Sequence, residues 1–223
     1  MVVFDADCRR CPRLVDCREA SARRFPGYHG APVPAFGDPA PQWLIVGLAP
    51  GLHGANRTGR PFTGDHAGIL LFETLHALGV SSAAVSEHRD DGLQLKGVRI
   101  TNAVKCLPPA NKPLPAEIRA CNGYLAAEIQ TLAPRVVVAL GRIAHDAVLD
   151  AVGLTRSSCR FGHGAEHRIV PSRPSMSAFS LVDSYHCSRY NTQTRRLTPT
   201  MFLEVLGRAQ TLVGTSGPSS AVR

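Results

Sequence analysis

Short apolar runs alternate with amphipathic stretches along the chain. Trp43–Gly47 (WLIVG) and Arg135–Leu140 (RVVVAL) are near-continuous apolar runs, the pattern of strands buried on both faces. Val98–Ala103 (VRITNA) and Leu181–Tyr185 predict two further strands, and Ile169–Val170 a strand remnant. Apolar positions at helical spacing predict helices over about 66–79, 115–132, 141–152 and 198–213, with a short one around Leu14–Arg24. Thr198 is a natural N-cap for the last, and Pro199 suits its first turn. Strands alternating with helices imply an α/β fold with a mostly parallel central sheet covered on both faces, a three-layer α/β/α sandwich.

The Pro/Gly-rich segment 26–41 reads as an extended surface connector. A glycine-rich loop, GLAPGLHGANRTGRPFTGD (47–65), separates the first strand from the first long helix. Ligands in such folds bind beyond the carboxyl ends of parallel strands. Five glycines would let backbone approach a ligand, while two arginines, Phe62 and Asp65 offer charge, a stacking plane and a carboxylate.

Length changes the picture little: 223 residues suffice for one well-buried core. The expected organisation is one domain over 1–213, including the N-terminal cysteine segment, and a disordered tail over 214–223. No apolar run approaches the roughly 18 residues needed to span a bilayer, and the N-terminus lacks a signal-type apolar core. Both point to a cytoplasmic protein without a membrane partner.

Charge says more. The formal net charge is +8, and only Lys96, Lys105 and Lys112 among 25 basic residues are lysines. Arginine pairs bidentately with phosphate, so an arginine-rich basic chain suits a polyanion. A genome rich in arginine codons would give the same bias without any nucleic-acid partner.

The seven cysteines are Cys8, Cys11, Cys17, Cys106, Cys121, Cys159 and Cys187. In a cytosolic chain, metal ligation is a better reading than structural disulfides. The pair Cys8-x-x-Cys11, with Cys106 after a strand and Cys121 in the next helix, can supply four thiolates. Zinc and an iron–sulfur cluster both accept that set, and reduced buried cysteines would pack there as small hydrophobes. Cys17 sits inside the short helix as a spare; Cys159 and Cys187 lie elsewhere.

Three blocks in order, GLAPGLHGANRTGRPFTGD, TNAVKCLPP and SYHCSRYNTQTRRLTP, together with the four cysteines, resemble the type-5 uracil-DNA glycosylases, the UDGb group. The resemblance covers residues 8 to about 213. It implies a glycosylase-type α/β/α fold holding a structural [4Fe–4S] cluster on Cys8, Cys11, Cys106 and Cys121. It also implies hydrolysis of the N-glycosidic bond of uracil in DNA, extending to hypoxanthine and related deaminated bases, by a monomer. A catalytically weak iron–sulfur protein that binds or senses damaged DNA is the alternative.

The resemblance also suggests roles. A flipped base, costing on the order of a few kcal/mol to extract, needs a stacking plane, an edge reader and a stabiliser for the leaving anion. Phe62 is the stacking plane and Asn102, at a strand's end, the edge reader; Gly47, Ala49 and Gly51 form the pocket floor. His186 would donate to the developing anion as a neutral imidazole. Leu48 and Ala49 carry nothing that activates water, which shifts that burden to Asp65, a residue equally suited to capping the next helix. Asn56, Arg57, Thr58 and Arg60 either hold the loop or meet phosphates, with Arg57 and Arg60 placed at the DNA. Arg189, Tyr190, Asn191 and Thr192 form the segment pressed into the minor groove. Cys187 stands where many relatives carry proline, a departure that touches loop stiffness more than reaction type.

Overall fold

A computed structural model describes residues 2–215. Its strands are β1 (Phe36–Gly37), β2 (Trp43–Gly47), β3 (Val98–Asn102), β4 (Val136–Leu140), β5 (Glu166–Ile169) and β6 (Phe179–Ser184). The helices are α1 (Pro12–Arg24), α2 (Ala55–Thr58), α3 (His66–Ala77), α4 (Pro115–Leu132), α5 (Arg142–Ala151), α6 (Arg189–Gln193) and α7 (Pro199–Thr215). The strands form one sheet in the order β1-β3-β2-β4-β6-β5. The inner four are parallel, and the two edge strands run antiparallel to them.

Side-chain alternation builds the three layers. Leu44 and Val46 of β2, and Val137 and Ala139 of β4, enter one core with Ile118, Leu125 and Ile129 of α4 and Val148 of α5. Trp43 and Ile45, with Val136, Val138 and Leu140, enter the other with Phe72 and Leu75 of α3 and Phe202 and Leu206 of α7. A period of two on strands buried on both sides therefore places helices on both faces, as the sequence predicted. β2 has β3 on one side and β4 on the other, so the topological switch lies at its carboxyl end.

Three elements were not legible. β1 lies within the segment read as a connector, and it pairs with β3 through two residues only, Phe36 with Ile100 and Gly37 with Arg99. α2 interrupts the glycine-rich loop, and the segment expected at the minor groove, 189–192, is a short helix, α6. Ser188 explains α6: its hydroxyl accepts from the Asn191 amide as an N-cap. The last helix continues through 214 and 215, which the sequence assigned to a tail; 216–223 lie outside the described residues. Among the described residues, no helix is long and apolar enough to cross a membrane.

Candidate active site

The glycine-rich loop closes on itself. Gly47 pairs with Asn102 across β2 and β3. A β-carbon on Gly47 would lie 2.5 Å from Asn102 Oδ1 and 2.5 Å from the Phe62 ring. One on Gly54 would collide with the Asp65 carboxylate, and one on Gly68 with the Phe62 carbonyl. The expectation that these glycines bring backbone up to a ligand is thus corrected in part. At positions 47 and 54 they make room for the chain's own Phe62, Asn102 and Asp65. Phe62 itself holds φ of +55°, a left-handed conformation rare for an aromatic residue and costing on the order of 1–3 kcal/mol.

Around this turn the expected pocket residues converge. The Phe62 ring stacks on His186, centroids 5.8 Å apart and planes at 25°. Asn102 is buried at the carboxyl end of β3. His186 follows β6, and the Asn191 side chain donates to its carbonyl at 2.8 Å. Burial pushes His186 down to about 4, so the ring is neutral at pH 7, and its Nδ1 is shut off from water without a hydrogen-bond partner. Gly51 sits at the mouth, its carbonyl accepting from Gly54 and Asn56. Ala49 is half-buried and packs on the α4/α5 side of the sheet.

Asp65 is the N-cap of α3, accepting from the Gly68 amide at 3.0 Å. Its other oxygen lies toward Gly51 and Gly54. Burial raises its pKa, opposed by the Gly68 and Ala67 amides. The carboxylate also lines an open cleft of about 590 Å³ together with Arg57, His66, Val85, Glu87 and Arg189. Capping and facing the cleft are therefore compatible in one side chain.

The residues expected at DNA divide. Arg57 and Arg189 are exposed along the cleft, and Tyr190 is 70% exposed. Arg57 also donates to the His53 carbonyl at 2.7 Å. Asn191 and Thr192 are half-buried and bond to their own loop, Thr192 to the Ser188 and Arg189 carbonyls. Arg60 departs from expectation. It is 3% exposed, forks onto Asp91 at 2.8 and 2.5 Å, donates to Thr63 and Ser86, and lies over the Phe36 ring. With its donors consumed inside the protein, Arg60 ties the loop to segment 86–91 and cannot meet a phosphate. Asn56 is likewise buried, donating to Ser21.

Cys8, Cys11, Cys106 and Cys121 line one enclosed cavity between α1, the β3–α4 loop and α4. Burial and the other thiols raise Cys106 to about 12, and burial raises Cys121 to about 11. The Lys105 amide donates to Cys121 Sγ at 3.3 Å. Arg13 clamps Glu117 with two bonds of 2.7 Å, docking α1 onto α4 beside the cavity. Among the described residues, no three of these sulfurs lie within 4.8 Å of one another. Cys17 lines a different surface recess, and Cys187 is buried in the α3/α7 core.

Sequence reasoning missed Asn191 as a support for His186, Asp91 as the partner of Arg60, and a buried group of His145, His167 and Asp183. Only Asp183 carried a signal, a carboxylate beside the apolar residues of β6; its meeting with His145 and His167 is set by tertiary contact.

A family model described as the uracil DNA glycosylase superfamily matches residues 34–210. A type-5 uracil-DNA glycosylase of Thermus thermophilus is 51% identical over 213 residues, covering 93% of this chain and 94% of the relative. The type-5 enzyme of Pyrobaculum aerophilum is 44% identical over 91% of this chain and 88% of its own length. That of Mycobacterium tuberculosis is 42% identical, over 93% and 78%. With Phe62, Asn102 and His186 gathered at the switch point and matches of this extent, the chain belongs to the uracil DNA glycosylase superfamily and groups with its type-5 members.

Proposed function

We propose that the protein is a monofunctional uracil-DNA glycosylase of base-excision repair, cleaving the bond between uracil and deoxyribose to leave an abasic site. The observation that carries this reading is the convergence of Phe62, Asn102, His186 and Asp65 beside the carboxyl ends of parallel strands in a chain of this family. Phe62 supplies a face for the base and Asn102 an amide that donates and accepts along its edge. Neutral His186, with an orphaned ring nitrogen, supplies a donor to the oxygen that gains charge as the base leaves. The base departs with the bonding pair, the water oxygen joins C1′ and keeps one proton as the new hydroxyl, and the other proton reaches the departing base through solvent. Asp65 carries the carboxylate that steadies the cationic sugar or orients that water.

Arg57, Arg189 and Tyr190 are placed to meet DNA, and the net charge of +8 favours that partner. Asn191 and Thr192 act by shaping that loop. We extend the substrates to hypoxanthine and related bases, and read the protein as a cytoplasmic monomer. Cys8, Cys11, Cys106 and Cys121 would hold a [4Fe–4S] cluster. A single zinc ion with four thiolates at about 2.3 Å needs sulfurs about 3.8 Å apart. Among the described residues no three of these sulfurs come within 4.8 Å of one another, which counts against a single zinc ion and leaves the multi-atom cluster as our reading. That group would supply a structural tie among α1, the β3–α4 loop and α4.

The test is incubation with duplexes carrying uracil, hypoxanthine or xanthine, followed by hot alkali. Strand breaks at uracil are expected. Tight binding to the same duplexes with no break at any of the bases would favour the damage-sensing alternative.

A further inference from the structure

Beyond the base pocket, on the α5 side of the sheet, three side chains converge with no role in the reaction proposed above. His145 of α5 and Asp183 of β6 are 1% and 0% exposed; His167 of β5 is 19% exposed. β5 and β6 pair with His167 opposite Leu181, so Asp183 is the same-face diagonal neighbour of His167. His145 reaches in from the helix. Its Nδ1 lies 2.8 Å from Asp183 Oδ1, and His167 Nε2 lies 3.5 Å from Asp183 Oδ2. One ligand-type atom from each residue falls within 4.8 Å of the others.

The hydrogen bonding leaves this group unbalanced on its His167 side. His145 Nε2 is 3.1 Å from the Cys159 carbonyl, which can only accept, so the ring proton of the neutral form belongs on Nε2. In that neutral form Nδ1 turns a lone pair toward Asp183 Oδ1; against the burial that lowers it, Asp183 raises the His145 pKa, and an imidazolium would donate to both partners. His167 Nε2 is buried and has no hydrogen-bond partner. Asp183 Oδ2 receives only a long bond, 3.4 Å, from the Gly162 amide. A buried carboxylate needs positive charge beside it, which a His145 imidazolium or a bound cation can supply; the buried, unpartnered His167 Nε2 beside Asp183 Oδ2 is the observation that favours the cation.

We propose that His145, His167 and Asp183 form a binding site for a divalent cation of the zinc class. Two imidazoles and one carboxylate suit a borderline ion such as Zn²⁺, whereas Mg²⁺ and Ca²⁺ take oxygen donors. Tetrahedral ligands at about 2.0–2.2 Å stand about 3.3–3.5 Å apart; the 3.5 Å between His167 Nε2 and Asp183 Oδ2 matches, and the 2.8 Å between His145 Nδ1 and Asp183 Oδ1 would have to open by about 0.5 Å. Donation from His145 Nε2 to a backbone carbonyl is the outer-shell support usual for a ligating histidine. The fourth position would take water from the exposed side of His167. The ion would pin edge strand β5 and helix α5 to β6, three residues before His186.

The test is zinc stoichiometry and zinc-edge anomalous diffraction on the full-length protein, with its cysteine-held metal in place. One equivalent of zinc is expected, with a peak between the three side chains. His167→Gln, on the edge strand, should fold normally by circular dichroism and lose that equivalent; Cys121→Ser, if it folds, should keep it. Zinc should raise Tm in the wild type by several degrees and leave His167→Gln unmoved. No peak at that position, zinc retained by a folded His167→Gln, or His145 shown by ¹⁵N NMR to be doubly protonated in the presence of zinc would overturn the assignment in favour of a plain imidazolium–carboxylate pair.

Discussion

The carboxylate of Asp65 occupies the volume that a β-carbon on Gly54 would fill. Fifty-four thus has to be glycine for sixty-five to reach both the start of α3 and the cleft. Gly54→Ala is expected to push Asp65 aside, costing about 1–3 kcal/mol of stability through overpacking and lowering kcat at least tenfold. Gly79→Ala is the control: it sits at φ of +71° with open space around it, so it strains the backbone without touching the site. Thermal melts and single-turnover excision on both variants check this. Equal kcat in the two would detach Gly54 from Asp65.

Asp65 also allows capping and chemistry to be separated. Asparagine caps helices about as well as aspartate, while alanine loses about 1 kcal/mol. Asp65→Asn should therefore melt near the wild type, and Asp65→Ala somewhat below it. If the carboxylate acts on sugar or water, both should lose activity alike, by two or more orders of magnitude. Activity that tracks Tm across the pair would leave Asp65 as a cap only.

How much was legible follows from what each residue depends on. β2 and β4 declare themselves because strands buried on both faces must be apolar throughout, and Leu44–Val46 and Val136–Leu140 are. β1 could not be read, since two residues after a proline-rich run carry no periodicity; its place is set by pairing with Arg99 and Ile100, distant in sequence. The pocket was legible through motif likeness, because Phe62, Asn102 and His186 lie next to strand ends. Arg60 was misread because its partners Ser86 and Asp91 lie about thirty residues on, in a segment without pattern. The His145, His167 and Asp183 group is assembled by tertiary contact alone.

Arg60 and Arg57 should part company in experiment. Arg60→Ala breaks a buried bidentate pair with Asp91 and is expected to cost about 3–5 kcal/mol. Arg57→Ala and Arg189→Ala should leave Tm nearly unchanged. Each should instead reduce the slope of log binding constant against log salt by about one on duplex DNA. Salt titrations by fluorescence anisotropy, run beside thermal melts, make the comparison. A changed salt slope in a folded Arg60 variant would return Arg60 to the interface.

The cysteine cavity carries its own pH signature. Burial holds Cys106 and Cys121 at about 12 and about 11, so without metal both are neutral thiols at pH 7. Loading the proposed cluster would therefore release protons, and its metal should be lost as pH falls. Visible absorbance followed during acidification should fade cooperatively with the melt. Cys121→Ser should be colourless and markedly less stable; a brown, iron-replete Cys121→Ser would exclude Cys121 as a ligand.

His186 gives the last prediction, and its sign is fixed by burial. The folded-state value is depressed to about 4 from 6.5, so the unfolded chain binds the extra proton first. His186 thus favours folding fully above pH 6.5, and that contribution falls away between pH 6.5 and 4. The loss amounts to about 1–3 kcal/mol, allowing for partial solvent access to the ring. On the proposed role the neutral form is the active one, and the acid limb of kcat should then lie near pH 4 to 5 rather than near 6.5. His186→Gln keeps a neutral donor and removes the titration. It should flatten the stability profile between pH 4 and 6.5 while retaining some excision, whereas His186→Ala should flatten the same profile and abolish excision. Melting curves and single-turnover rates across that range decide it: a wild-type acid limb centred at 6.5, with the same limb in His186→Gln, would assign the titration to another group.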